Sequence, residues 1–497
     1  MNSRPLTAGG HLVVIGGGAA ATAVLHQLTE HAGFRPGSVT VVDPRPAGFG
    51  VAFGTTDPKL RCNTSVDVTS LYRADRSDLQ RYLAARGWPV GRADFVPRAL
   101  VGQYCRERFG QLSRELQARG AQVRQVTTRA RTVLPAERAG EGYRVTLDDG
   151  STLEATDVVV AAGGDQPHLP ELLRAYADHP DLLAGPYPTD RLRALPTDAR
   201  VLVVGSKLSA VDAALVLCGA DRQVTLCSPS GELPAVRNRL CRTARPTGLL
   251  ADLRELNPGT PDFDRTLTRV LARAVRSARA GWGHPAAALR RQFGTEPKAL
   301  ERLTTELRQT EAGDNAWQDV IAELIEAVND WTEGWPSAER DRLLTRFRPL
   351  IARHISAIPV SSARALAGHG LAGRLAVRRG TPAALTPDPD GGWQVRWTAA
   401  GPAEHHTHVL SASGYLRPAV CTHGPALLAL GPAACSPHCA PPLTGPDLRL
   451  LRPGGADPER IWMVGAMGAA RTAIVNYLWT AAGQAGTVAQ ALAVSTR

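Results

Sequence analysis

Leu12-Val-Val-Ile-Gly-Gly-Gly-Ala-Ala-Ala21 is an apolar run that strikes three glycines and continues into small, helix-forming residues. A buried strand, a tight turn and a helix start follow from that order. In the G-x-G-x-x-[GA] register, Gly16 makes the turn, Gly18 leaves room for a phosphate to approach the backbone, and Ala21 lets helix and strand pack closely. A pyrophosphate then rests on the positive end of the helix. A second apolar strand, Ser38-Val-Thr-Val-Val-Asp43, ends in a carboxylate 25 residues beyond Gly18, where an acid suits a ribose hydroxyl pair. Strand, turn, helix, strand and acid together predict a dinucleotide site.

Outward from this unit, Pro44 to Gly54 is too rich in turn formers for a helix and too apolar for a linker, and reads as a loop over the cofactor. A helical stretch is expected around 76–118. Then Arg131–Leu134, Tyr143–Leu147, an Asp149-Gly150 turn and Thr156–Gly164 form a small meander that ends in a buried strand. The same grammar returns. Arg200–Leu215 is a second strand-turn-helix and Gln223–Cys227 its second strand, with another meander at Gly373–Val377, Gly392–Trp397 and His408–Gly414. The duplication predicts two related halves. The fold class is α/β, with two Rossmann-like (three-layer ββα) dinucleotide-binding domains and a helical insertion. Expected boundaries are 1–195 for the first part of the first dinucleotide-binding domain, 196–249 with 361–420 for the second, 250–360 for the insertion, and 421–497 for the return to the first domain. The insertion carries helical periodicity, as in Ala316–Val328, and its Trp282, Trp317, Trp331 and Trp335 are expected in its core.

Composition excludes more than it assigns. A chain of 497 residues with 43% apolar content supports several buried cores. The net charge of +11 comes from 57 basic residues against 46 acidic ones, and only Lys59, Lys207 and Lys298 are lysines. The arginines are dispersed and form no stripe, so neither a nucleic acid nor a membrane is an expected partner. No apolar run approaches the ~18 residues of a membrane span. The small-residue run after Arg4 is explained by the fingerprint rather than by a secretory signal, and a cytoplasmic location is expected. Eight irregularly spaced cysteines fit reduced thiols. Cys421, His423, Cys435, His438 and Cys439 lie close in sequence, but their spacing matches no zinc module, so no metal is expected.

With these residues in place, the chain resembles the two-dinucleotide-domain flavoproteins, and more narrowly a bacterial FAD/NAD(P)-binding protein family, similar in architecture to flavin-dependent hydroxylases. The residues carrying the likeness are Val42-Asp-Pro-Arg-Pro46, Gly48-x-Gly-Val-Ala-Phe-Gly54, Leu60-x-x-Asn-Thr64, Phe95-Val-Pro-Arg98 ahead of Tyr104, Ala316-Trp-Gln-Asp-Val-Ile321, Arg353-His354 and Pro359. The resemblance implies FAD contacts at Gly16, Gly17, Gly18, Ala21, Asp43, Gly50, Asn63 and Thr64. It also implies Val133 or its neighbours facing the adenine, Ala162 and Gly163 at the end of a strand under the flavin, and Gly465 with Ala466 at the final strand. Gly205 and Ser206 belong to the second, nicotinamide-nucleotide turn, with NADPH or NADH as its expected ligand.

Two departures fall in that second turn. Lys207 stands where the middle glycine normally lies. The strand after it runs into Ser228-Pro229-Ser230 without the arginines that hold a 2′-phosphate, leaving Arg222 or Arg237 as substitutes from nearby loops. Neither a nucleophile elbow, H-E-x-x-H, a P-loop nor Cys-x-x-Cys occurs, which disfavours hydrolase, phosphoryl-transfer and disulfide-reductase chemistry. Lys207 and His354 are the weak catalytic candidates. Arg353 is a candidate contact, and Asn476-Tyr477 are candidates to line the flavin pocket. The expectation is an FAD-dependent monooxygenase, a hydroxylase or N-hydroxylase of a small amine-bearing or aromatic metabolite in secondary metabolism, reduced by NAD(P)H. One alternative is an FAD oxidase or dehydrogenase with a degenerate nicotinamide site, taking electrons from its own substrate or from a separate reductase. The other is a non-catalytic flavin-binding redox sensor.

Overall fold

A computed structural model describes residues 10–31, 36–136, 142–242, 247–277, 298–397, 402–416, 420–421, 427–430, 443–452 and 457–494. Two parallel sheets organise it. The first contains β1 (His11–Ile15), β2 (Ser38–Val42), β3 (Gln122–Val126) and β4 (Asp157–Val160). The second contains β5 (Leu182–Leu183), β6 (Arg200–Val204), β7 (Gln223–Ser228), β8 (Leu375–Arg379) and β9 (His408–Ser411). The late strand β10 (Ile461–Met463) returns to the first sheet, giving the orders β10-β4-β1-β2-β3 and β8-β7-β6-β9-β5.

The apolar strand runs follow from burial on both faces. Leu12 and Val14 of β1 join the core under α1 (Ala19–Glu30), α2 (Arg98–Ala118) and the C-terminal helix Leu478–Val494, whereas Val13 and Ile15 face the antiparallel meander. In the second sheet Val201 and Val203 face α3 (Leu208–Cys218), and Leu202 and Val204 face a second meander built around Trp393 and Val395. Period-two alternation thus produces the same three layers twice.

A third, helical layer gathers Phe263–Ser277, α4 (Ile321–Trp331) and Ser337–Arg346, with Trp317 and Trp331 in its core and Trp335 packed against it. Trp282 lies outside the described residues. The structure departs from the expected layout in three places. The helical stretch 76–118 is broken into Asp78–Ala84 and α2, because Gly87 takes φ +78° and Pro89 removes an amide donor. Leu182–Leu183 pairs with β9, so the chain reaches the second sheet before residue 195. Helix Ala299–Glu311 buries Leu303 and Leu307 in the second sheet's core rather than in the helical layer. Among the described residues no helix is long and apolar enough to cross a membrane.

Candidate active site

The first turn is held by its neighbours. Gly16 has φ +100°, and its amide donates to the Val42 carbonyl at 2.8 Å; a Cβ there would stand 2.7 Å from the Ala161 carbonyl oxygen. A side chain is therefore excluded by backbone as well as by torsion. The Gly17 amide donates to Asp43 Oδ2 at 2.8 Å, and the Arg45 amide to Asp43 Oδ1 at 2.8 Å, which fixes the buried carboxylate at the end of β2. Gly18 is the residue before α1, and no side chain caps the helix. The first amides of α1 are consequently open to an anion. Ala21 is fully buried, as close packing of helix on strand requires.

These groups open onto a cleft of about 1080 Å³. Gly18, Asp43, Gly50, Asn63 and Thr64 line it, as do Ala162, Gly163 and Ala466 from two strand ends. Gly465 lies just behind, with φ +66°, its amide donating to Gln484 Oε1 at 2.7 Å. The Cα atoms of Gly18 and Gly50 face each other so closely that a Cβ on either would lie 3.5–3.6 Å from the other glycine. The two glycines thus present bare backbone to the cleft at this point. The glycine turn, uncapped helix, buried acid and cleft volume fit FAD, for which Gly18 would meet the diphosphate and Asp43 the ribose. Val133 is different. It is fully buried between Val145 and Leu428 in the meander core and does not reach the cleft, because it occupies the inward phase of its strand.

The same cleft extends to the second turn, where Leu208 and Ser209 open α3. Here Gly205 has φ +139°, its amide donates to the Cys227 carbonyl at 2.8 Å, and a Cβ would stand 2.4 Å from the Ala412 carbonyl oxygen. Ser206 Oγ donates to the Glu232 carbonyl at 2.8 Å and lies 2.7 Å from Ser228 Oγ. Lys207 precedes the helix with φ −102° and ψ −160°, close to the −80° and −165° of Gly18. Its Nζ donates to the Glu232 carbonyl at 3.0 Å. Burial pushes its pKa below the ordinary lysine value, with Arg353 and Arg302 adding to that and Glu232 opposing it.

Neither substitute arginine reaches a nucleotide. Arg222 is buried and donates to the carbonyls of Leu195, Pro196 and Arg193. Arg237 has no exposed surface and donates to the His354 carbonyl at 3.1 Å and to that of Ile355. The exposed arginine near Ser228 is instead Arg379, its register partner on β8, which local sequence around residue 228 does not disclose.

His354 is buried, edge-on to Trp317 at 4.7 Å, and held neutral: burial, then Arg353, Arg302 and Arg237, lower its pKa to about 3. It faces the helical layer rather than the cleft, and Arg353 pairs with Glu306. Asn476 and Tyr477 do line the cleft, and the Tyr477 hydroxyl donates to the Ile355 carbonyl at 2.7 Å. An ionic link that sequence reasoning missed joins α2 of the first unit to α3 of the second beside the cleft. Arg98 Nη1 meets Asp212 Oδ2 at 2.5 Å and the Tyr187 hydroxyl at 2.7 Å, and that hydroxyl also donates to Asp212. The signal for it in the sequence is a carboxylate inside the otherwise apolar helix Leu208–Cys218. Cys62 also lines the cleft, but burial pushes its thiol up to about 12, far from thiolate chemistry. Among the described residues no cluster of metal-binding side chains occurs; His423, Cys435, His438 and Cys439 lie outside them.

An FAD-NAD(P)-binding family matches residues 13–165, and a pyridine nucleotide-disulphide oxidoreductase family matches 118–248. No curated protein matches the chain in sequence. Similar solved structures include ornithine hydroxylase from Pseudomonas aeruginosa, with TM-score 0.59 and 15% identity over 98% of this chain and 100% of the other. L-lysine 6-monooxygenase from Pseudomonas syringae gives 0.58 and 14% over 98% and 100%. Ornithine N-hydroxylase from Kutzneria sp. 744, solved with reduced FAD, NADP+ and L-ornithine, gives 0.59 and 14% over 97% and 99%. Residues 13–165 thus carry a match to the FAD-NAD(P)-binding family, and the second parallel sheet with its own glycine turn repeats the architecture of that unit further along the chain.

Proposed function

We propose that the protein is an FAD-dependent monooxygenase that takes electrons from a nicotinamide nucleotide and oxygenates a small metabolite. The observation that carries this reading is the single cleft bounded by the N-termini of both α1 and α3. Bound FAD would supply electron transfer and oxygen activation. Gly16, Gly18 and Asp43 would hold it at one end, and the α3 amides with Ser206 would receive the nucleotide at the other. The helical layer contributes Leu344, Ile351 and Ile355 as an apolar part of the cleft wall. Disulfide reduction is disfavoured, since the cleft cysteine is a buried, protonated thiol. The solved neighbours that hydroxylate ornithine and lysine support the reaction class. Arg379, exposed beside Ser228, supports NADPH as donor through its 2′-phosphate.

The test is anaerobic mixing of the FAD-loaded protein with NADPH and with NADH while the oxidised-flavin absorbance is followed. Rapid bleaching, faster with NADPH, is expected. Protein that holds FAD but bleaches with neither would transfer the assignment to an oxidase or dehydrogenase reduced by its own substrate.

A further inference from the structure

Beyond the cofactor cleft, the helical layer frames a second, partly open cavity of about 140 Å³. The two spaces share four side chains, Leu344, Ile351, Ile355 and Ile474, so one wall of the cofactor cleft is also a wall of this chamber. Its other described lining is aliphatic and aromatic, including Leu324, Val328, Trp317 and Trp331, with no carboxylate, ammonium or guanidinium. The polar groups are the two indoles and His354.

Chemistry and size point the same way. An ammonium or carboxylate placed here would lose its water without gaining a charged partner. A dry apolar cavity of roughly 150 Å³ accepts a benzene-sized molecule. The neutral imidazole of His354 adds a single polar point that repels no uncharged ligand. We infer that this chamber seats a neutral aromatic or cyclic hydrocarbon portion of the substrate rather than a charged amino-acid group. That the occupant is a substrate rests on the monooxygenase reading; that the seat is apolar does not.

The experiment uses the FAD-loaded full chain, with indole and L-ornithine as probes, binding by calorimetry, and flavin bleaching by NADPH measured on the same sample. Indole is expected to bind saturably and L-ornithine not to bind. Leu324→Trp and Val328→Phe, one helical turn apart on α4, each fill the chamber and should weaken indole by about tenfold or more. Retained FAD content checks that each variant has folded. Binding of L-ornithine without indole would overturn the inference, as would undiminished indole binding in both folded variants. If indole binds as described but NADPH does not bleach the flavin, the monooxygenase reading fails and the apolar seat stands. If NADPH bleaches and indole does not bind, the reverse holds.

Discussion

The two glycine turns share a backbone and differ in what fills it. Gly16 and Gly205 both take positive φ against the carbonyl of the strand that follows each meander, Ala161 in one case and Ala412 in the other. Their amides donate to Val42 and Cys227 at the same 2.8 Å. Two residues on, Gly18 and Lys207 adopt similar extended conformations ahead of their helices. Only the first glycine is thus demanded by the fold, and the third position is demanded by whatever must pass over it. In the first turn that position faces Gly50 across a bare passage; in the second a lysine lies over to a neighbouring carbonyl.

Gly18→Val tests that division most severely. Its φ of −80° and the 3.6 Å clearance of an added Cβ leave folding undisturbed, but branched carbons would occupy the diphosphate path. FAD content of purified protein is expected to fall to about a tenth or less of wild type, with unchanged circular dichroism. Normal occupancy would show that the diphosphate does not cross this turn.

The end of the second strand is next. Asp43→Ala leaves the buried Gly17 amide without its acceptor, a cost of about 1–3 kcal/mol, and also takes away the carboxylate that would hold the ribose. Ser228→Ala removes less, because Ser206 keeps the Glu232 carbonyl, and about 1 kcal/mol or less is expected. Thermal unfolding of the two variants, with and without added FAD, checks the asymmetry; equal losses would remove it. Arg379→Ala sharpens the same comparison on the nucleotide side. It is expected to raise KM for NADPH by about tenfold, roughly 1.4 kcal/mol, with kcat and the KM for NADH little changed. An equal rise for both donors would show that Arg379 meets no 2′-phosphate.

What was legible follows from how local each feature is. The first turn, Asp43 and both meanders are set by residues two to four apart, so Leu12–Ala21 and Tyr143–Leu147 carry their structure in their own spacing. The side of the sheet that Val133 faces depends on strand phase against Val145 and Leu428, the latter nearly three hundred positions away, and no local pattern sets it. The burial of Arg222 and Arg237, the pairing of Arg379 with Ser228, and the Arg98–Asp212 ion pair are likewise decided by topology. Nor does sequence show that His354 turns from the cleft to the chamber behind it.

That burial of His354 in the chamber behind the cleft has a pH signature. The folded pKa near 3 lies below the unfolded value of 6.5, so between them the unfolded chain binds the extra proton. Its contribution to stability is therefore complete above pH 6.5 and is lost as pH falls toward 3. His354→Leu should flatten the fall of stability with acid by up to about 1.4 kcal/mol per pH unit in that window, read from denaturant midpoints at several pH values. An unchanged slope would mean that the imidazole is not held neutral.

Lys207→Gly carries the smallest effect and the finest discrimination. If the lysine blocked the turn, glycine would strengthen nucleotide binding; if its ammonium were a principal phosphate ligand, glycine would weaken it severely. The geometry favours neither extreme. The backbone already has the shape of Gly18, and the ammonium is tied to the Glu232 carbonyl beside the helix end. It remains close enough to contribute field without lying in the path. Removing it should raise the Kd for NADPH by about twofold to threefold at low ionic strength, and less at about 0.5 M salt, where a Debye length of about 4 Å screens the charge. A tighter complex in the glycine variant would identify Lys207 as an obstruction, and a weakening insensitive to salt would make it a direct ligand.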